Sequence, residues 1–98
     1  MQNEDKIEIR IEFSPLFNRK LKQLPRKIIT AFDETLEIFW EDLNHKRLRR
    51  HFLKEKFAGY ESIDVTDDYR AIFKEEKTKN SIVIKFHLIG THKDLYIK

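Results

Sequence analysis

The apolar residues of this chain change period twice, and that ordering limits the folds open to it. From Ile7, the series Ile7, Ile9, Ile11 and Phe13 alternates with Glu8, Arg10 and Glu12, the period-two pattern of a strand with one buried face. Ser14-Pro15 ends it. Serine is a strong helix N-cap, and proline suits the first helical turn because its missing N–H would have no partner there. Phe17, Leu21 and Leu24 follow at helical spacing. Pro25 interrupts that helix and starts another, in which Ile28, Ile29, Phe32, Leu36, Phe39, Trp40 and Leu43 form a stripe opposite Asp33, Glu34, Glu37, Glu41 and Asp42. Period two then returns. Phe57 to Val65 reads as a strand containing Gly59, Thr66-Asp67-Asp68 as a turn, and Tyr69 to Lys74 as a second strand. EEKTKN reads as a loop, and Ile82 to Leu88 as a third strand stopped by Gly90. The order β-α-α-β-β-β predicts one α+β domain over residues 1–98. Its antiparallel sheet, a meander plus the N-terminal strand, carries a two-helix hairpin on one face. The other face is left open for a site.

Length and composition exclude much else. The 98 residues support a single core, and eight Phe supply its bulk. With no cysteine, neither a disulfide framework nor a thiolate metal site is available, which fits a reducing compartment. No apolar run approaches the roughly 20 residues of a membrane span, and the start, MQNEDKIEIR, lacks the apolar stretch of a signal peptide. A cytoplasmic location without membrane contact is the expectation. No Gly-rich phosphate loop, HExxH, nucleophile elbow or Ser-His-Asp spacing occurs, so neither metal nor cofactor is expected.

The net charge of +3 matters less than its distribution. Residues 44–56, NHKRLRRHFLKEK, show neither period. Lys46, Arg47, Arg49, Arg50, Lys54 and Lys56 face only Glu55, a local charge of +5 that leaves −2 on the other 85 residues. Such a segment is either a solvated loop or a patch that displaces counterions from nucleic acid. Of the histidines, His45 reads as a loop residue and His87 as a structural strand residue. His51 is embedded in the basic run, and His92 follows Gly90-Thr91 at a strand end. Arg70, inside a strand, is either a partner for Asp64 or Glu61 or a fixed cation on the open face.

LPRKI (24–28), AFDETLEIF (31–39), LRRHFLKEKFAGYESIDVTDDYRAIFK (48–74) and IGTHKDLY (89–96) together resemble the RelE/ParE superfamily of bacterial toxins. Within it they are most similar to the RelE/YafQ-like messenger-RNA interferases, and AGYxSIDVTxDYRAIFK and IGTHxxLY are the most specific pieces. The resemblance implies a RelE-like fold and the toxin of a type II toxin–antitoxin system. Such a toxin enters the ribosomal A site and cuts messenger RNA without a metal. It also implies a cognate antitoxin, through which the pair binds operator DNA. By position, His51, Asp68, His92 and Tyr96 stand where YafQ-type members have functional residues, with Phe at the last. Arg70, Tyr96, Lys54 and Lys56 stand where RelE-type members have theirs. YafQ-type members have histidine at the place of Asp64 and aspartate at that of Ser62. RelE-type members have an arginine near the place of His92, and many relatives have glycine at Glu55 and Asp67.

The residue types suit that chemistry. Cleavage through the 2′-hydroxyl needs a proton acceptor, a proton donor and cations for the transition-state charge. Histidine, ordinarily near pKa 6.5, can do either proton task. His92 is the expected acid or base with His51 as counterpart. Arg70 and the lysines are expected to stabilise charge, Tyr96 to stack on a base and Asp68 to orient a histidine. The competing readings are a non-catalytic inhibitor of the ParE type, directed at gyrase, and a degenerate toxin that only binds its antitoxin.

Overall fold

Ser14 is the hinge between the first strand and the helices. β1 (Glu8–Phe13) stops before it, its Oγ accepts the Phe17 N–H at 2.9 Å, and Pro15 opens α1 (Pro15–Lys22). In the computed structural model, which describes residues 7–96, α2 (Arg26–Glu41) follows directly after Pro25. The polar start read above as lacking a signal peptide lies, for residues 1–6, outside the described residues. Short 3₁₀ turns at Lys46–Leu48 and Glu55–Phe57 flank β2 (His51–Phe52). β3 (Glu61–Asp64), β4 (Tyr69–Lys77) and β5 (Ser81–Thr91) form the meander, and α3 (His92–Tyr96) follows without a break.

The five strands lie in the order β1-β5-β4-β3-β2. The architecture is α+β as predicted, but the sheet is mixed. β1 runs parallel to β5, whereas the other neighbours are antiparallel. A parallel pair needs a long crossover, and here the helices and meander between β1 and β5 supply it. Other boundaries differ from the periodic reading. β4 extends to Lys77, so the expected loop shrinks to residues 78–80. Gly90 does not end β5 but pairs with Arg70 inside it. The strand expected from Phe57 begins only at Glu61, because Gly59 at φ +91° makes a turn closed by a 2.9 Å bond from the Tyr60 N–H to the Phe57 carbonyl. That left-handed backbone favours glycine.

Both helices cover one face of the sheet. Phe17, Phe32, Phe39, Phe73 and Phe86 are buried in one cluster, with Phe86 at its centre. Its ring lies 5.4 Å from Phe17, 5.5 Å from Phe32 and Phe73, and 5.9 Å from Phe39. The tilted and perpendicular geometries are those aromatic rings prefer. The opposite face carries two rows across the strands. One is His51, Ser62, Ile72 and Leu88, and the other is Asp64, Arg70 and Gly90. Among the described residues, no helix is long and apolar enough to cross a membrane.

Candidate nucleic-acid interface

The open face becomes a cleft because α3 folds back over it. Thr91 caps this helix by accepting the Asp94 N–H at 3.0 Å, and the His92 N–H donates to the Asp68 carbonyl at 2.9 Å. Leu95 is buried, and its side chain lies beside Gly90. The Tyr96 hydroxyl then donates to Ser62 Oγ at 3.3 Å, across the sheet from α3. The resulting cleft has a volume of about 690 Å³, and His51, Lys54, Lys56, Arg70, His92 and Tyr96 all line it.

Each of these side chains is held by a specific neighbour. His51 Nδ1 lies 2.8 Å from the Arg49 carbonyl. A carbonyl only accepts, so Nδ1 carries the proton and the neutral ring keeps its lone pair on Nε2. The His92 ring packs against Tyr96 with centroids 4.6 Å apart. Arg70 donates through Nη1 to the carbonyls of Thr66, Asp67 and Tyr69, at 3.0, 3.1 and 3.1 Å. Its Nε stands 3.2 Å from Asp64 Oδ1, off the hydrogen-bonding axis but well within Coulombic reach. Asp64 also accepts from Arg49 Nε at 2.8 Å. Arg70 Nη2 has no protein partner among the described residues, so one edge of a fixed guanidinium remains for a ligand.

The basic segment divides in two. Lys54, Lys56 and Arg49 line the cleft, but Lys46 and Arg47 lie outside it on the first 3₁₀ turn. Arg50, expected to bind RNA, is turned inward. It donates to Glu61 at 2.6 and 3.0 Å, to Glu75, and to the Leu43 carbonyl at 3.2 Å. Its guanidinium covers Phe73 at 5.1 Å, and the hydrogen bond to Glu61 is the main cause holding its pKa above the ordinary arginine value. Packing the cation onto the core matches Glu61, which would otherwise be stranded there, and adds to the Lys77 that stands 3.8 Å from Glu75. Asp68 supplies its backbone carbonyl to α3, and its carboxylate is not part of the cleft wall. His87 stacks on Tyr60 beyond the cleft, with centroids 5.3 Å apart. Phe52, Leu53, Phe57, Ser62 and Asp64 also line the cleft. The apolar residues interleaved with the basic run were the available signal for the first three. Among the described residues, no group of three or more His, Cys, Asp or Glu could hold a metal.

This fold, a mixed five-stranded sheet with a helical hairpin on one face and a short C-terminal helix over the other, is similar to that of solved bacterial toxin structures. The crystal structure of YafQ from E. coli superposes with a TM-score of 0.73 at 18% identity, covering 91% of this chain and 99% of that one. The E. coli DinJ–YafQ toxin–antitoxin complex matches with a TM-score of 0.69 at 20% identity, over 92% and 99% of the two chains. The YoeB–YefM complex from Staphylococcus aureus gives 0.64 at 21% identity, over 87% and 98%. No protein-family model and no curated protein sequence matches the chain.

Proposed function

We propose that this chain is the toxin of a type II toxin–antitoxin pair and an endoribonuclease that cuts messenger RNA in the ribosomal A site. The observation that carries this reading is the convergence of two histidines, a half-satisfied arginine and a tyrosine on one cleft walled by lysines. The similar DinJ–YafQ structure is a toxin–antitoxin complex, which supports a protein partner that neutralises the chain.

The arrangement of the cleft supports the following roles. His51 Nε2 takes the proton of the 2′-hydroxyl, whose oxygen attacks the adjacent phosphorus. The bond from phosphorus to the 5′-oxygen breaks, and His92 donates the proton that the leaving oxygen needs. The products are a 2′,3′-cyclic phosphate and a 5′-hydroxyl, so protons and bonds balance without a metal. Arg70 Nη2, Lys54 and Lys56 meet the charge that gathers on the phosphorane oxygens, where fixed donors are most effective. Tyr96, braced by Ser62, offers a ring face on which a base can stack.

Expression should arrest growth, and primer extension on a message translated in vitro should show new 5′ ends. His92→Ala should abolish both while leaving the thermal melt in place. A variant as toxic as the parent would remove His92 from the reaction. Glu55, a carboxylate in the cleft wall between Lys54 and Lys56, favours a second reading, a binder of antitoxin alone. Harmless overproduction of the parent chain with no message cleaved would select that reading.

A further inference from the structure

We infer that the nucleic-acid site extends beyond the cleft along a continuous track of rings on the open face of the sheet, taking single-stranded RNA next to the scissile step. This inference rests on the RNA-binding part of the function proposed above. The ring of His92 lies 4.6 Å from Tyr96, Tyr96 lies 6.2 Å from Phe57, Phe57 lies 6.3 Å from Tyr60, and Tyr60 lies 5.3 Å from His87. None of these rings belongs to the core cluster, and Phe57, Tyr60, His87 and Tyr96 are all half-buried.

Charge decides what such a stripe fits. Lys56 Nζ sits 5.3 Å from the Phe57 ring and Lys74 Nζ sits 5.1 Å from the Tyr60 ring, so the track carries a cation at each of two successive rings. The carboxylates near its far end are already matched, Glu76 by Lys85 at 3.2 Å and Glu12 by Arg10 at 2.8 Å. A hollow of about 340 Å³ beside Tyr60, Lys74, Lys85 and His87 gives room for a base. Rings alternating with lysines are the arrangement by which single strands are held without sequence readout, bases on the rings and phosphates on the cations.

The test uses the full chain with fluorescent, uniformly 2′-O-methylated RNA, which binds but cannot be cut, as a trimer that fills only the cleft and an octamer that reaches His87. Anisotropy should show Tyr60→Leu weakening the octamer about tenfold, the loss expected for one stacked base, and leaving the trimer unchanged. Tyr60→Phe should bind as the parent, and circular dichroism should show all variants folded. Equal weakening of both lengths, or no parent binding to either, overturns the track. An unaffected octamer does so too and assigns the stripe to protein contacts. Message cleavage in translation extract is read separately. Tyr60-dependent octamer binding by a chain that cleaves nothing keeps the track and removes only the nuclease reading.

Discussion

Glu55 holds a left-handed backbone, φ +58°, in the wall of the cleft. An L side chain there costs roughly 1–2 kcal/mol through the contact of Cβ with the following carbonyl, and glycine escapes that contact while losing chain entropy of its own. Glu55→Gly should therefore raise stability to urea by about 0.5–1 kcal/mol, and it should tighten RNA binding by deleting a carboxylate between two lysines. Glu55→Ala separates the two effects, since it removes the charge and keeps the Cβ. Equal stability of the two variants would show that the backbone is not strained. Ser62 is the other position where a single atom matters. It is fully buried and accepts the Tyr96 hydroxyl. Ser62→Ala should cost about 1 kcal/mol, and as a positioning residue it should lower the rate of cleavage more than the affinity for RNA. Both positions were legible as departures from the resembling toxins, but not for their reasons. A backbone angle and a bond spanning 34 residues leave no mark in periodicity.

The 3₁₀ turn at Lys46–Leu48 shows how a short element redirects charge. It ends at Arg49, whose φ of +49° reverses the chain, so that Arg49 reaches Asp64 while Arg50 enters the core edge between Glu61 and Glu75. The raised Arg50 pKa means that its contribution is complete below the ordinary arginine value and is lost only above the folded one. Stability therefore does not fall through Arg50 anywhere near neutral pH. Arg50→Ala leaves Glu61, 7% exposed, without a counter-charge, and leaves Glu75, 12% exposed, with only the exposed Lys77 at 3.8 Å; the expected loss is about 3–5 kcal/mol. That loss should shrink in acid, where protonation relieves the stranded charges. A melt difference that is the same at pH 4.5 and pH 8 would mean lost packing rather than lost charge. At this scale, long periodic elements were readable and short ones were not. β1, both helices and the meander followed from apolar spacing, whereas β2 has two exposed residues and α3 only five. Neither is long enough to show a period. The parallel register of β1 on β5 pairs residues about 70 positions apart, which no local pattern encodes.

Across the whole molecule, the +5 segment is not one surface. Its first part lies outside the cleft, Arg50 supports the core, and Arg49 is matched by Asp64, so the cleft wall draws its unmatched charge from Lys54, Lys56 and the free edge of Arg70. The sequence could show that cations were concentrated but not which way each one faced, because direction depends on the left-handed Arg49 and on acids 11 and 25 residues further on. The division makes a quantitative prediction for binding of non-cleavable single-stranded RNA. Each phosphate neutralised on a single strand contributes about −0.7 to the slope of log K against log salt. Replacing both Lys54 and Lys56 by Gln should flatten that slope by about 1.4 and weaken binding most at low salt. Replacing both Lys46 and Arg47 by Gln removes the same formal charge from the same segment and should leave the slope nearly unchanged. Similar losses from the two pairs would mean that RNA responds to the segment's total charge rather than to a cleft, and the roles assigned to His51 and His92 would then lose the geometry that supports them.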